Sequence, residues 1–281
     1  MMQKSDSGLS VVIGFIMLLM IIAMIIGTWA LVGVPAQTRN AEDYHAIGVT
    51  NAFLDYKIEV DNLRLNNQSG VNVSMQIPAA SAYSSGALIL TENVGTLKII
   101  ENYTNTSWTG DLSRLWVTFG TTKTGVGYEG GGVYRKDYGY ATWVTPPMFE
   151  LDNLSNDLYV TLVIPKLEGS FSVGSTEGIP VDTGLKSSTQ VWETITTNQT
   201  VNISYTADET WDAALWRTAF FEAVTKYEND ENAGKIANVT CDVSPISNDS
   251  NTAYLLIYPV SGKIIHINVL YPAYDVDVRG A

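Results

Sequence analysis

Cys241 is the only cysteine in the 281 residues, so no disulfide can form within the chain, even in an oxidising compartment. Cys241 reads as a small buried residue in a strand. Histidine is almost as scarce. His45 and His266 stand alone, and neither has a second histidine or a carboxylate at metal-ligand spacing. A Ser-His-Asp triad therefore has little to draw on, and no Gly-x-Ser-x-Gly elbow is present. Both histidines read as structural, His45 on a helix and His266 within the apolar strand 264–267. Basic residues are also few: 16 Lys and Arg face 29 Asp and Glu, a formal net charge of −13, with no basic tract. That excludes nucleic-acid binding, which needs clustered cations to displace phosphate counterions. No period of 20 to 50 residues repeats, and no low-complexity linker divides the chain.

What is present is one long apolar run. Residues 9–34, LSVVIGFIMLLMIIAMIIGTWALVGV, follow the polar leader MMQKSDSG, and no charge lies between Asp6 and Arg39. The run exceeds the roughly 20 residues a helix needs to cross about 30 Å of hydrocarbon. It is also longer than the apolar core of a cleaved secretory signal, about 7–15 residues. Val34-Pro35-Ala36 makes a poor cleavage site. The run is expected to anchor the chain by a single span, with everything after about Thr38 on one side of a membrane. Pro35 is expected either to kink the helix or to mark its end.

Flanking charge says little about orientation, since Lys4 lies before the run and Arg39, Glu42 and Asp43 after it. Glycosylation acceptors say more. Asn-x-Ser/Thr occurs at Asn67, Asn72, Asn102, Asn105, Asn153, Asn198, Asn202, Asn238 and Asn248, more often than the composition gives by chance. None precedes the anchor, which fits an N-in, C-out arrangement with a glycosylated, extracellular C-terminal domain.

Beyond the anchor the pattern is helical, then extended. Ala46, Val49, Phe53, Tyr56, Val60 and Leu63 recur at spacings of three and four, and Ile47, Leu54, Ile58 and Leu65 broaden the stripe. This predicts an amphipathic stalk helix over 36–66 that packs on its own domain or on neighbouring copies. From Val71 the period falls to two, and strands are expected over 71–77, 86–91, 95–101, 114–119, 132–136, 140–145, 158–164, 170–173, 189–195, 200–205, 236–243, 253–259 and 263–270. One amphipathic helix interrupts them near 208–229, with Trp211, Leu215, Phe220 (or Ala219) and Val224 near helical spacing. A three-stranded meander is expected after it. The fold class is thus α+β: leader 1–8, membrane helix 9–35, stalk 36–66, and a mainly antiparallel β-rich ectodomain 67–281.

No segment carries a catalytic constellation, and no cofactor or metal is expected. The glycine-rich stretch 122–135, TKTGVGYEGGGVYR, lacks the Lys-Ser/Thr and the helix start of a phosphate loop. It reads as a turn between strands ending near Val126 and starting near Val133. The acidic loop Glu228-Asn229-Asp230-Glu231-Asn232 has Gly234 out of place for an EF-hand and reads as a solvated turn. Asp275 and Asp277 share a strand face without making a glycosidase pair. Tyr128, Tyr134, Tyr138, Tyr140 and Trp143, with Arg135 and Lys136, suit sugar or protein binding, although alternation places about half of them in the core.

The segment Lys4-Ser-Asp-Ser-Gly8 followed by Leu9-Ser-Val-Val-Ile-Gly-Phe15 resembles the class III signal of archaeal type IV pilin-like proteins. In that family a prepilin peptidase, a membrane aspartyl protease, cuts after the small residue that precedes the apolar helix. The resemblance implies cleavage after Gly8, with Leu9 as the mature N-terminus. Residues 128–135, with Pro146-Pro147-Met148-Phe149 downstream, are similar to a segment of uncharacterised archaeal members that carry this anchor. Mature position five would be Ile13, where bacterial type IV pilins carry a glutamate.

The functional expectation is a non-enzymatic pilin-like surface protein. It would be a minor filament subunit or adhesin, a homo- or hetero-oligomer joined to other pilins through its N-terminal helix. The alternative is a permanently anchored protein whose β-domain binds a ligand or envelope partner without polymerising. An extracellular hydrolase is the third reading.

Overall fold

Helix carries the chain without a break from its apolar end into the body of the domain. In the computed structural model, which describes residues 6–66, 70–79, 86–120, 124–174, 178–186, 191–230, 235–241 and 250–279, α1 (Asp6–Thr28) passes through a π-helical turn (Trp29–Gly33) into α2 (Val34–Leu65). Pro35 neither ends the helix nor removes a needed donor. The widened turn just before it, closed by the Val34 N–H on the Trp29 carbonyl, absorbs the hydrogen bond and the space that proline denies a regular α-turn. The stretch Val12–Leu65 is long and apolar enough to cross a membrane, and its most apolar window is covered by nothing in the protein.

The second half of that helix is a core element. Ala46, Val49, Phe53, Tyr56, Val60 and Leu63 are all buried, at the 3-4 spacing that places them on one face. They pack on β1 (Asn72–Pro78) and on strands of the main sheet. Burial of each large side chain stabilises by about 1.5–3 kcal/mol. The expected broadening of the stripe does not occur. Ile47, Ile58 and Leu65 are exposed, and only Leu54 packs partly against this core. A helix on a sheet presents one face, and these residues point away from it.

The strands continue as β2 (Gly86–Glu101), β3 (Asn105–Phe119), β4 (Gly125–Glu129), β5 (Gly132–Asp137), β6 (Tyr140–Thr145), β7 (Met148–Leu154), β8 (Asp157–Val163), β9 (Lys166–Glu168), β10 (Phe171–Gly174), β11 (Gly178–Leu185), β12 (Trp192–Thr197) and β13 (Val201–Ala207). After α3 (Thr210–Glu228) follow β14 (Ala237–Cys241), β15 (Thr252–Pro259), β16 (Ile265–Leu270) and β17 (Ala273–Val278). Nine strands form the main sheet in the order β14-β15-β13-β2-β3-β4-β5-β6, with β10 beside the start of β2. Two four-stranded sheets flank it, β1-β11-β17-β9 and β12-β16-β8-β7. Pairing is antiparallel except for β16 with β8 and β17 with β9.

Several expectations are corrected here. The separate strands at 86–91 and 95–101 are the two halves of β2, joined across a register shift between Thr91 and Gly95. The strand expected at 114 begins at Asn105. β7, β9 and β11 lie where no strand was expected, β4 runs past the strand end expected near Val126, and β17 carries the strand face expected at Asp275 and Asp277. The meander after α3 does not form: β14 and β15 pair, but β16 joins β8 and β12, and β17 joins β11 and β9. Alternation identifies a strand but not its neighbour, and β16 and β17 run on together into two different sheets.

The long strands β2 and β3 thread two cores. Leu88 and Leu90, with Leu115 and Val117, pack under α2. Leu97 and Ile99, with Trp108 and Leu112, pack under α3. In α3 the buried set is wider than the expected stripe, running from Asp212 through Trp216 and Phe220 to Tyr227. Cys241 is buried at the end of β14, as its strand position suggested.

Candidate functional site

The strands give the ectodomain a near end and a far end relative to the exposed helix. At the near end, His45 on α2 donates from Nε2 to the Pro78 carbonyl at 2.6 Å and meets Phe119 edge-on, with centroids 5.1 Å apart. Arg135 on β5 lies 3.6 Å from Asp43. The ends of β1, β3 and β5 therefore come down together beside residues 43–45. The far end holds the end of α2 at Leu65, the β2–β3 hairpin turn and the start of β13. In that hairpin Asn102 and Tyr103 both have positive φ, 47° and 62°, the left-handed pair that a tight hairpin turn requires.

Every acceptor asparagine among the described residues lies towards the far end. Asn72, Asn102, Asn105, Asn198 and Asn238 are exposed. Asn238 lines an open cleft of about 600 Å³ with Tyr227, Val239 and Tyr258. Asn153 and Asn202 are half-buried. Asn153 donates to Asp230 at 3.0 Å, and Asn202 sits on β13 between β2 and β15, its Oδ1 buried without a hydrogen bond. Asn67 and Asn248 lie outside the described residues. Gly8 and Leu9 fall in the first turns of α1.

Between the two cores lies a buried charge cluster that no sequence pattern announced. Arg114 on β3 donates through Nε to Glu129 Oε2 at 2.7 Å and through Nη2 to Asp212 Oδ2. Tyr205 donates to both carboxylates, at 3.1 Å and 2.9 Å, and Trp216 Nε1 donates to Glu129 Oε1 at 2.8 Å. Both carboxylates are fully buried. Asp212 Oδ1 and the Tyr134 hydroxyl are buried nearby without hydrogen-bond partners. Burial, and then the charge of Glu129, push the Asp212 carboxyl well above the ordinary carboxylate range, against the pull of Arg114. Trp211 covers the cluster, its ring 4.5 Å from the Arg114 guanidinium and 4.1 Å from Lys136 Nζ. The one available signal was a charge set among inward-facing apolar positions, Leu112-Ser-Arg-Leu-Trp116.

The other sequence candidates resolve as follows. The glycine-rich stretch is a hairpin turn, narrower than expected, with β4 reaching Glu129 and β5 starting at Gly132. Gly130 and Gly131 have φ of 54° and 91°, and a Cβ on Gly130 would come within 2.8 Å of Trp216 Cζ2. Tyr128 and Tyr134 are core residues, and Trp143 donates to the Leu215 carbonyl at 2.8 Å. Only Tyr138 and Tyr140 of that group are exposed. His266 stacks on Tyr159 at 4.6 Å and hydrogen-bonds Thr196. Asp275 and Asp277 share an exposed strand face, with Asp275 paired to Lys186 at 2.8 Å. Glu228 ends α3, and Asp230 accepts from Asn153, while Glu231 and Asn232 lie outside the described residues. Among the described residues no group of three or more His, Cys, Asp or Glu side chains is placed to hold a metal ion.

A family model described as a family of unknown function (DUF7289) matches residues 8–261, so the chain belongs to that family. No curated protein and no solved structure matches it.

Proposed function

We propose that this member of the DUF7289 family is a type IV pilin-like cell-surface subunit. It is non-enzymatic and single-pass, with its glycosylated β-domain outside the cell. In this reading a prepilin peptidase cuts between Gly8 and Leu9, and the freed helix bundles with copies of itself or with other pilins as a minor filament component or adhesin. One observation carries the proposal: the membrane-length apolar helix runs unbroken into a stalk whose opposite face forms the core of the β-domain. A helix held this way keeps the domain attached when it leaves the bilayer. Bundling then re-buries its apolar surface at about 25 cal/mol per Å². The exposed residues Tyr44, Ile47, Ile58 and Leu65, spaced by sums of threes and fours, extend that available surface along the outer face of the stalk.

Ile13, standing where bacterial pilins have an acid, favours the second reading of an anchored protein that binds a ligand or envelope partner without polymerising. Immunogold labelling with an antibody to the β-domain separates the two. Label on intact cells and along sheared filaments supports the pilin-like subunit. Label confined to the cell membrane supports the anchored protein, and label seen only after lysis contradicts both.

A further inference from the structure

We propose that the turn joining β5 to β6 is a foot that rests in the lipid headgroup layer beside the anchor. This inference depends on the anchor reading above, but not on filament assembly. The tip residues Asp137-Tyr138-Gly139-Tyr140 carry two tyrosines that are 69% and 76% exposed. Tyr138 adopts a φ of 51°, a conformation that bulky residues seldom take and that asparagine or glycine would fill more easily. No packing explains either ring: both point out of the fold, whereas Tyr134 on the same strand is fully buried.

The height of the tip follows from the helix. Tyr128, the register partner of Val133, lies against Tyr56 at 5.3 Å, while Arg135 reaches Asp43. β5 therefore runs towards the anchor. Asp43 is nine residues beyond Val34, the last residue of the apolar run, or about 14 Å along the axis at 1.5 Å per residue. From Arg135 to Tyr138 the strand descends about 10 Å further at 3.3 Å per residue. Levelled on the Arg135–Asp43 contact, the tip ends about 4 Å from the end of the apolar run, and levelled on Tyr56 and Tyr128 it ends about 16 Å from it. Headgroups occupy about 5–8 Å on each side of a bilayer, a depth inside that range.

Chemistry and placement agree. Tyrosine has an apolar ring and a polar hydroxyl, the combination enriched at membrane interfaces. Arg135 Nε pairs with Asp137 at 2.8 Å, which keeps the tip close to neutral. Tyr44, also exposed, follows Asp43 on the helix at the same level. The turn 137–140 contains no asparagine. A surface meant to lie on lipid cannot carry sugar, and every acceptor asparagine among the described residues lies towards the far end.

Full-length protein carrying Cys241→Ala and one new cysteine is labelled with an environment-sensitive fluorophore and reconstituted in phosphatidylcholine vesicles. The labelled positions are Tyr138→Cys, Tyr140→Cys, the far-end control Tyr103→Cys, and Ile22→Cys within the anchor. Nitroxide placed near the lipid headgroup should quench the labels at 138 and 140 several-fold more than the label at 103, with aqueous iodide giving the reverse order. Labels at 138 and 140 that behave like the one at 103, while deep nitroxide still quenches at 22, overturn the foot and leave the anchor standing. Loss of quenching at 22 overturns the anchor reading, and the foot with it.

Discussion

The Tyr56 hydroxyl on the stalk helix shares a 3.0 Å hydrogen bond with Thr183 Oγ1 on β11, 127 residues further along the chain. It is one of several polar ties across this interface. Another is Tyr274, whose hydroxyl donates to the Val60 carbonyl at 3.2 Å. Both are closed over by the apolar stripe of α2, so the stalk is part of the domain and not a tether.

Phe53→Ala should destabilise the domain by about 3–5 kcal/mol through the cavity it leaves. Tyr56→Phe should cost about 1 kcal/mol, because it removes one hydrogen bond and leaves the Thr183 hydroxyl buried. Denaturant titration of the detergent-solubilised protein reads both. A Phe53→Ala variant as stable as the parent would mean that the helix is not seated as described.

Arg114→Met should cost about 3–5 kcal/mol, since it leaves the buried Glu129 without its cation and Asp212 without its donor. Adding Glu129→Gln and Asp212→Asn to that variant should restore part of the loss. The same denaturant titration tests this, and the informative comparison is the single variant against the triple.

The raised pKa of Asp212 has a definite sign. In the unfolded chain the group titrates near the ordinary value of about 4. In the folded protein, burial and Glu129 hold the proton on to higher pH. Between those values the native state binds a proton that the unfolded chain has released, so this contribution is present below about pH 4 and is lost as pH rises through the folded value. Melting temperature measured across pH should fall less steeply for Asp212→Asn than for the parent protein. Parallel curves would show that Asp212 does not titrate in this way.

Sugar added to the folded domain should occupy the exposed acceptors and spare Asn202, half-buried on β13 between β2 and β15. Glycopeptide mass spectrometry should find occupancy among Asn72, Asn102, Asn105, Asn198 and Asn238, and none at Asn202. Occupancy at Asn202 would place glycosylation before folding.

The parts of this fold legible in the sequence are those set by local period. The six buried residues from Ala46 to Leu63 follow from a 3.6-residue repeat, and β1 and β15 follow from a two-residue one. Partnerships were not legible, because alternation is the same whichever strand lies alongside. β11 escaped notice, and β4 was expected to end too early, because glycines and a proline dilute the alternation in Gly-Val-Gly-Tyr-Glu and Gly-Ile-Pro-Val-Asp. The π-turn before Pro35 and the Arg114 cluster depend on backbone geometry and on contacts up to 98 residues apart. The near and far ends of the domain, which separate the described acceptor sites from Tyr138 and Tyr140, exist only once the strands are laid along α2.

The most direct test of the whole account is the N-terminal peptide of this protein recovered from sheared surface filaments and identified by mass spectrometry. The account predicts a filament-borne chain that begins at Leu9. An intact Met1, on protein found only in the membrane fraction, would contradict it.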